Sequence, residues 1–204
     1  HKKLIFIMRA TIESSFYANQ CIMSILETTA PEKLTATEEY LEELIEGQSR
    51  IMDMVAEGRE LSELLTEIVR WAETKSKTEM IGSILLVNES GQHLLHGAAP
   101  SLPKEYNEAI HGVSIGPSAG SCGTAAYTRQ TVIVEDIETN SLWKDYRELA
   151  KKFGLRACWS TPIINKKGKV VATFAMYYKE PRKPSEHDLR MIRWISRTAL
   201  LAFE

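Results

Sequence analysis

The sequence predicts an α+β domain built around an antiparallel sheet, and three observations carry that reading. Apolar residues recur at helical spacing through the first third of the chain. From Met80 the period becomes that of strands. The strands then arrive mostly as hairpins with short turns, not as repeated strand–helix units. Hairpins pair antiparallel, whereas a doubly wound parallel sheet needs a crossover after each strand.

The elements follow in order. "SSFYANQCIMSILETTAP" places Phe16, Tyr17, Ile22, Ile25 and Leu26 near a helical repeat, and Pro31 with its polar neighbours marks a break. "TATEEYLEELIEGQSRIMDMVAEG" is a second helix, with Thr37 as N-cap and Glu38 and Glu39 in its first turn. Leu41, Leu44, Gln48, Ile51 and Val55 form a stripe usable as a core face or a dimer seam. After Gly58, "ELSELLTEIVRWAE" turns Leu61, Leu64, Leu65, Ile68, Val69 and Ala72 inward. "MIGSILLVN" and "HLLHGAA" make a hairpin across "ESGQ", and Pro103 starts a short helix. "HGVSIGPSAG" reads as loop, "SCGTAAYTR" as a short helix and "QTVIVED" as a strand. A turn and a helix ending at Gly154 follow, then the hairpin "RACWSTPIIN"–"VVATFAMYYK". The last helix begins at the N-cap Ser185 and turns Ile192, Ile195 and Ala199 to one side.

The 204 residues allow one domain with a helical extension, placed as residues 1–36 and 37–204. Lys+Arg 25 against Asp+Glu 27 gives a net charge of −2, with no long basic run, so nucleic acid is not an expected partner. No apolar run reaches the length that crosses a bilayer. A soluble, cytoplasmic domain without direct membrane insertion is expected. Cys21, Cys122 and Cys158 are odd in number and widely spaced, which suits free thiols better than a disulfide framework or a zinc site.

"SILLVNESGQHLLHGAAPSLPKEYNEAI", "GPSAGSCGTAAYTRQTVIVEDIETNSLWKDYRELAKKFGLRACWSTPI" and "KGKVVATFAMYY" resemble GAF domains. The kind is that found in prokaryotic sensor histidine kinases and in diguanylate cyclase or phosphodiesterase regulators. The resemblance implies a six-stranded antiparallel sheet with the helix near 60–73 and the C-terminal helix packed on one side. On the other side, short helices after 103, 119 and 146 would roof a small-molecule pocket. It also implies a non-catalytic sensor that signals through terminal helices paired in a homodimer, to an effector such as a histidine kinase or a diguanylate cyclase. The family's ligands are too diverse for membership to name one, so the cofactor is left unknown.

Free methionine sulfoxide reductases share this fold and a segment like "SCGTAA". Their catalytic cysteine belongs to a "HIAC" stretch where this chain reads "SLWKDY", so the redox set is incomplete. Cys122 is then a pocket wall or a packing residue more readily than a nucleophile. Gly116, Gly120 and Gly123 leave the backbone bare near a helix start, where N–H groups and the helix dipole suit an anion, unless the glycines only shape the turn. Ser121 and Thr124 add hydroxyl donors. Trp143 and Trp159 could wall the pocket or pack the core, and Tyr127, Tyr146 and Phe174 are weaker candidates of the same kind. The ligand site expected from these arguments is Gly120, Ser121, Cys122, Gly123, Thr124, Trp143, Tyr146 and Trp159, with no catalytic or metal residues. His93 and His96 point to opposite faces, as do Glu135 and Asp136, so neither pair acts together. A ligand-free dimerisation and relay module is the alternative, in which the two tryptophans are simply core.

Overall fold

The computed structural model describes residues 31–203, with side chains from residue 39 onward. The helical reading of residues 14–30 and Cys21 lie outside the described residues. The chain divides into two units, residues 1–46 and 47–204, and the sheet with its flanking helices belongs to the second.

Helix α1 spans Pro31–Ala56. Thr37, expected as its cap, lies inside this helix. Helix α2 (Leu61–Lys75) buries Leu64, Leu65, Ile68, Val69 and Ala72, as the spacing predicts. Strands β1 (Ile81–Val87) and β2 (His93–Ala98) form the first hairpin. Helix α3 (Lys104–Ile110), β3 (Val113–Ser114), α4 (Gly120–Thr128) and β4 (Val132–Val134) follow. A single 3-10 turn (Ser141–Trp143) leads to α5 (Arg147–Lys152). The hairpin β5 (Ala157–Ile164) and β6 (Val170–Tyr178) then precedes α6 (Glu186–Leu201).

The strands make one six-stranded sheet in the order β3-β2-β1-β6-β5-β4, antiparallel throughout. Strand β3 falls in a stretch read as loop, since two residues are too short to show any alternation. Each face of the sheet carries its own core. On one, Phe174, Met176, Trp159 and Ile163 pack with Ile51, Leu65, Ile68, Met191 and Ile195 of the long helices. On the other, Leu85, Leu94, Cys158, Ala175 and Tyr177 lie beneath Tyr106, Cys122, Ala126, Trp143 and Ala150 of the short ones. The long helices meet through Trp71 and Trp194, stacked with ring centroids 3.9 Å apart.

The cavity beneath the short helices

The approach of α4 to the sheet is set by two glycines. Gly120 begins the helix at φ +61°, a conformation strained for any residue with a Cβ. A Cβ on Gly123 would stand 2.6 Å from the Ser114 carbonyl oxygen, so only glycine lets α4 lie this close to β3. The Thr124 hydroxyl accepts the Ala119 N–H at 3.1 Å and ties off the helix start. Gly123 and Thr124 serve the position of α4, and neither lines the cavity.

Ser121 joins three elements with one hydroxyl. Its Oγ donates to the Cys158 carbonyl at 2.9 Å and accepts from the Trp143 indole N–H at 3.0 Å. The β5 backbone at the buried Cys158 is thereby linked to α4, and through α4 to the 3-10 turn. Trp143 meets Tyr177 and Tyr146 edge to face, with centroids 6.5 and 6.4 Å away. Tyr106 meets Tyr177 the same way at 5.8 Å.

These side chains enclose a cavity of about 30 Å³, lined by Leu85, Tyr106, Cys122, Trp143, Tyr146 and Tyr177 among others. A volume of that size holds roughly one or two water molecules. Burial raises the Tyr106 and Tyr177 hydroxyls well above their ordinary pKa. Cys122 behaves oppositely. The Cys158 thiol donates to it, and this outweighs burial and lowers Cys122 to about 7, with help from Ser160, Thr173 and Tyr177. Cys158 is pushed well up, first by its burial and then by its role as that donor.

Of the residues expected at the site, Gly120, Ser121, Cys122, Trp143 and Tyr146 come together around the cavity. Trp159 does not join them. In the register, Cys158 opposes Tyr177 and Trp159 opposes Met176, so alternation turns Trp159 to the long-helix face. There it is 1% exposed, lies 4.6 Å from the Tyr178 ring, and has the Arg182 guanidinium over it at 5.3 Å. Phe174 packs on the same side, and Tyr127 is 56% exposed at the surface. Leu85, Tyr106 and Tyr177 are among the members that sequence reasoning missed. Alternation along "ATFAMYY" could have found Tyr177, since it shares a face with Ala175.

A wider depression of about 450 Å³ lies outside α3, bordered by His96, Pro100, Lys104, Asn107, Glu108 and His111. There His111 Nδ1 accepts the His96 backbone N–H at 3.1 Å, and burial followed by the nearby His111 lowers the His96 side-chain pKa. Among the described residues no three His, Cys, Asp or Glu side chains are grouped to hold a metal ion, and no helix is long and apolar enough to cross a membrane.

A sensor from Methanosarcina acetivorans, the methyl sulfide methyltransferase-associated sensor, is 39% identical over 163 residues. That alignment takes in 80% of this chain but only 16% of the sensor, so the chain corresponds to a small part of its relative. Two solved structures show the same fold at low identity. The GAF domain of an Acinetobacter phosphoenolpyruvate-protein phosphotransferase superposes with a TM-score of 0.56 at 18% identity, covering 78% of this chain and 90% of that one. The reduced fRMsr of Staphylococcus aureus superposes with a TM-score of 0.62 at 17% identity, covering 81% and 95%. The family model for the GAF domain matches residues 58–204, well over half the length, and the chain belongs to the GAF domain family.

Proposed function

We propose that this GAF domain is the non-catalytic sensing part of a larger cytoplasmic signalling protein. It takes a small polar or anionic molecule at the cavity beneath α4 and passes the change through its terminal helices. The supporting observation is the position of β5 between two layers. On one face its Cys158 carbonyl is held by Ser121, which also holds Trp143. On the other face its Trp159 packs in the core with Met191 and Ile195 of α6. A ligand that displaces Trp143 or α4 pulls on the same strand that seats α6. The domain extends over residues 37–204, with 1–36 as a separate leading segment. Its output goes to an effector such as a histidine kinase or a diguanylate cyclase, across a homodimer formed by the terminal helices.

Thermal unfolding of the whole chain against a panel of small anions, nucleotides and amino acids tests this. A ligand of the native state raises Tm by linkage, and Trp143→Phe should weaken that rise. If no member of the panel shifts Tm, the ligand-binding reading fails. The small cavity volume favours the alternative in that event, because Trp143, Tyr106 and Tyr177 then simply fill the space of a ligand-free relay module.

A further inference from the structure

We propose that Cys122 and Cys158 are a peroxide-oxidisable thiol pair, with Cys122 as the reacting sulfur and Cys158 as the resolving one. Four features support this. Ser121 pins α4 onto β5 at Cys158 itself, and the next residue, Cys122, packs in the same buried cluster as Cys158. Both are free thiols, 7% and 0% exposed. Cys122 lines the cavity, so a small molecule that enters can reach its sulfur.

The fourth feature is the unexpected polarity of the sheet beneath α4. Ser160 and Thr173 are 0% exposed, and neither hydroxyl has a well-formed hydrogen-bond partner. Leaving buried hydroxyls unpaired is costly, and packing alone would be served by alanine or valine. Both hydroxyls favour the charged form of Cys122, alongside the Cys158 thiol and the Tyr177 hydroxyl. Together they favour a thiolate, which is the nucleophilic form. Cys158 keeps its proton, as a resolving thiol should until its partner has been oxidised.

The chemistry balances with hydrogen peroxide as the oxidant. The Cys122 thiolate attacks one peroxide oxygen and the O–O bond breaks. A Cys122 sulfenic acid forms, and hydroxide leaves as water after taking a proton. The Cys158 sulfur then attacks the sulfenic sulfur, displacing a second water and closing a disulfide. Two thiols are oxidised and one peroxide is reduced. A cavity of about 30 Å³ accommodates hydrogen peroxide more readily than a bulky hydroperoxide. What the oxidation is used for rests on the sensory reading above; the chemistry does not.

The test uses the whole chain carrying Cys21→Ser, so that only the pair reports. Near-stoichiometric hydrogen peroxide should consume both thiols and lower the intact mass by two hydrogens. In Cys158→Ser the reaction should stop at a sulfenic acid on Cys122, trapped by dimedone supplied in denaturant once the peroxide has been removed. In Cys122→Ser, Cys158 should stay reduced. The parent protein should react with cumene hydroperoxide roughly tenfold or more slowly than with hydrogen peroxide. That comparison needs no variant to fold. Survival of both thiols under peroxide that oxidises free cysteine overturns the proposal. So does oxidation of Cys158 at the parent rate in Cys122→Ser, or equal rates with the two oxidants. Disulfide formation without any change in Trp194 emission would leave the pair standing and overturn the relay to α6 instead.

Discussion

Ser121 makes the same small hydroxyl serve as acceptor for one layer and donor for another, and both partners are buried. Ser121→Ala therefore strands the Trp143 indole N–H away from water, at a cost of about 1–3 kcal/mol. Urea unfolding should show a lower midpoint with an unchanged slope. Gly123→Ala acts through shape, since its new methyl meets a backbone carbonyl at 2.6 Å, and about 1–3 kcal/mol of overpacking should appear in the same measurement. Cys122 gives the fold a pH dependence. Its folded value of about 7 lies below its ordinary 9.0, so its contribution is full above the unfolded value and is lost as pH falls through 7. The stability difference between the wild type and Cys122→Ser should therefore grow from about pH 7 to about pH 9. A difference that is flat over that window would show that no thiolate is stabilised there. Cys158 is raised chiefly by burial common to both proteins, so the comparison removes most of its opposite effect.

At the scale of elements, α6 is fastened at its first turn. Asp188 Oδ2 accepts from the Ser185 N–H at 2.8 Å and from Arg182 at 3.1 Å, while Ser185 Oγ accepts the Asp188 N–H at 3.3 Å. Arg182 also donates to Thr78 at 2.7 Å and lies over the Tyr178 ring at 4.3 Å. The Asp188 side chain is 4% exposed and that of Arg182 25%, so Asp188→Ala should cost about 3 kcal/mol, the lower end for breaking a buried pair. Hydrogen exchange should show α6 opening from its N-terminal end. The Ser185 cap was legible in the sequence because capping is local, and the hydrophobic face of α2 was legible because its period is. Arg182 was not, because Thr78 and Tyr178 are brought to it only by the folded sheet. Trp159 shows a further limit. Alternation separated it from Cys158, but only the roof of short helices on the Cys158 side decides which of the two faces the cavity. The cavity's small size was likewise hidden, since it depends on how Tyr106, Trp143 and Tyr177 fit edge to face.

Among the described residues, α1 carries a run of exposed apolar side chains, and it bears on how a signal would cross between chains. Ile51, on the stripe of α1 read as a core face or a dimer seam, is 1% exposed and belongs to the core with α2. The exposed residues are Leu41 at 52%, Ile45 at 67%, Met52 at 53% and Val55 at 40%. With Gln48 between them they recur at four-three spacing, the repeat of a two-helix seam with one polar position to fix its register. Such a repeat is wasted on a face turned to water. If two copies pair along it, Met52→Glu with Val55→Glu places charge in the seam and withdraws two apolar side chains from burial. Losing about 3 kcal/mol of burial weakens the dimer by roughly a hundredfold. Light scattering across a dilution series should find the parent chain dimeric and the double variant monomeric at the same concentration, with unchanged helix content. A parent chain that stays monomeric throughout would remove the seam, and with it the route by which α1 would carry the state of the sheet to a second copy.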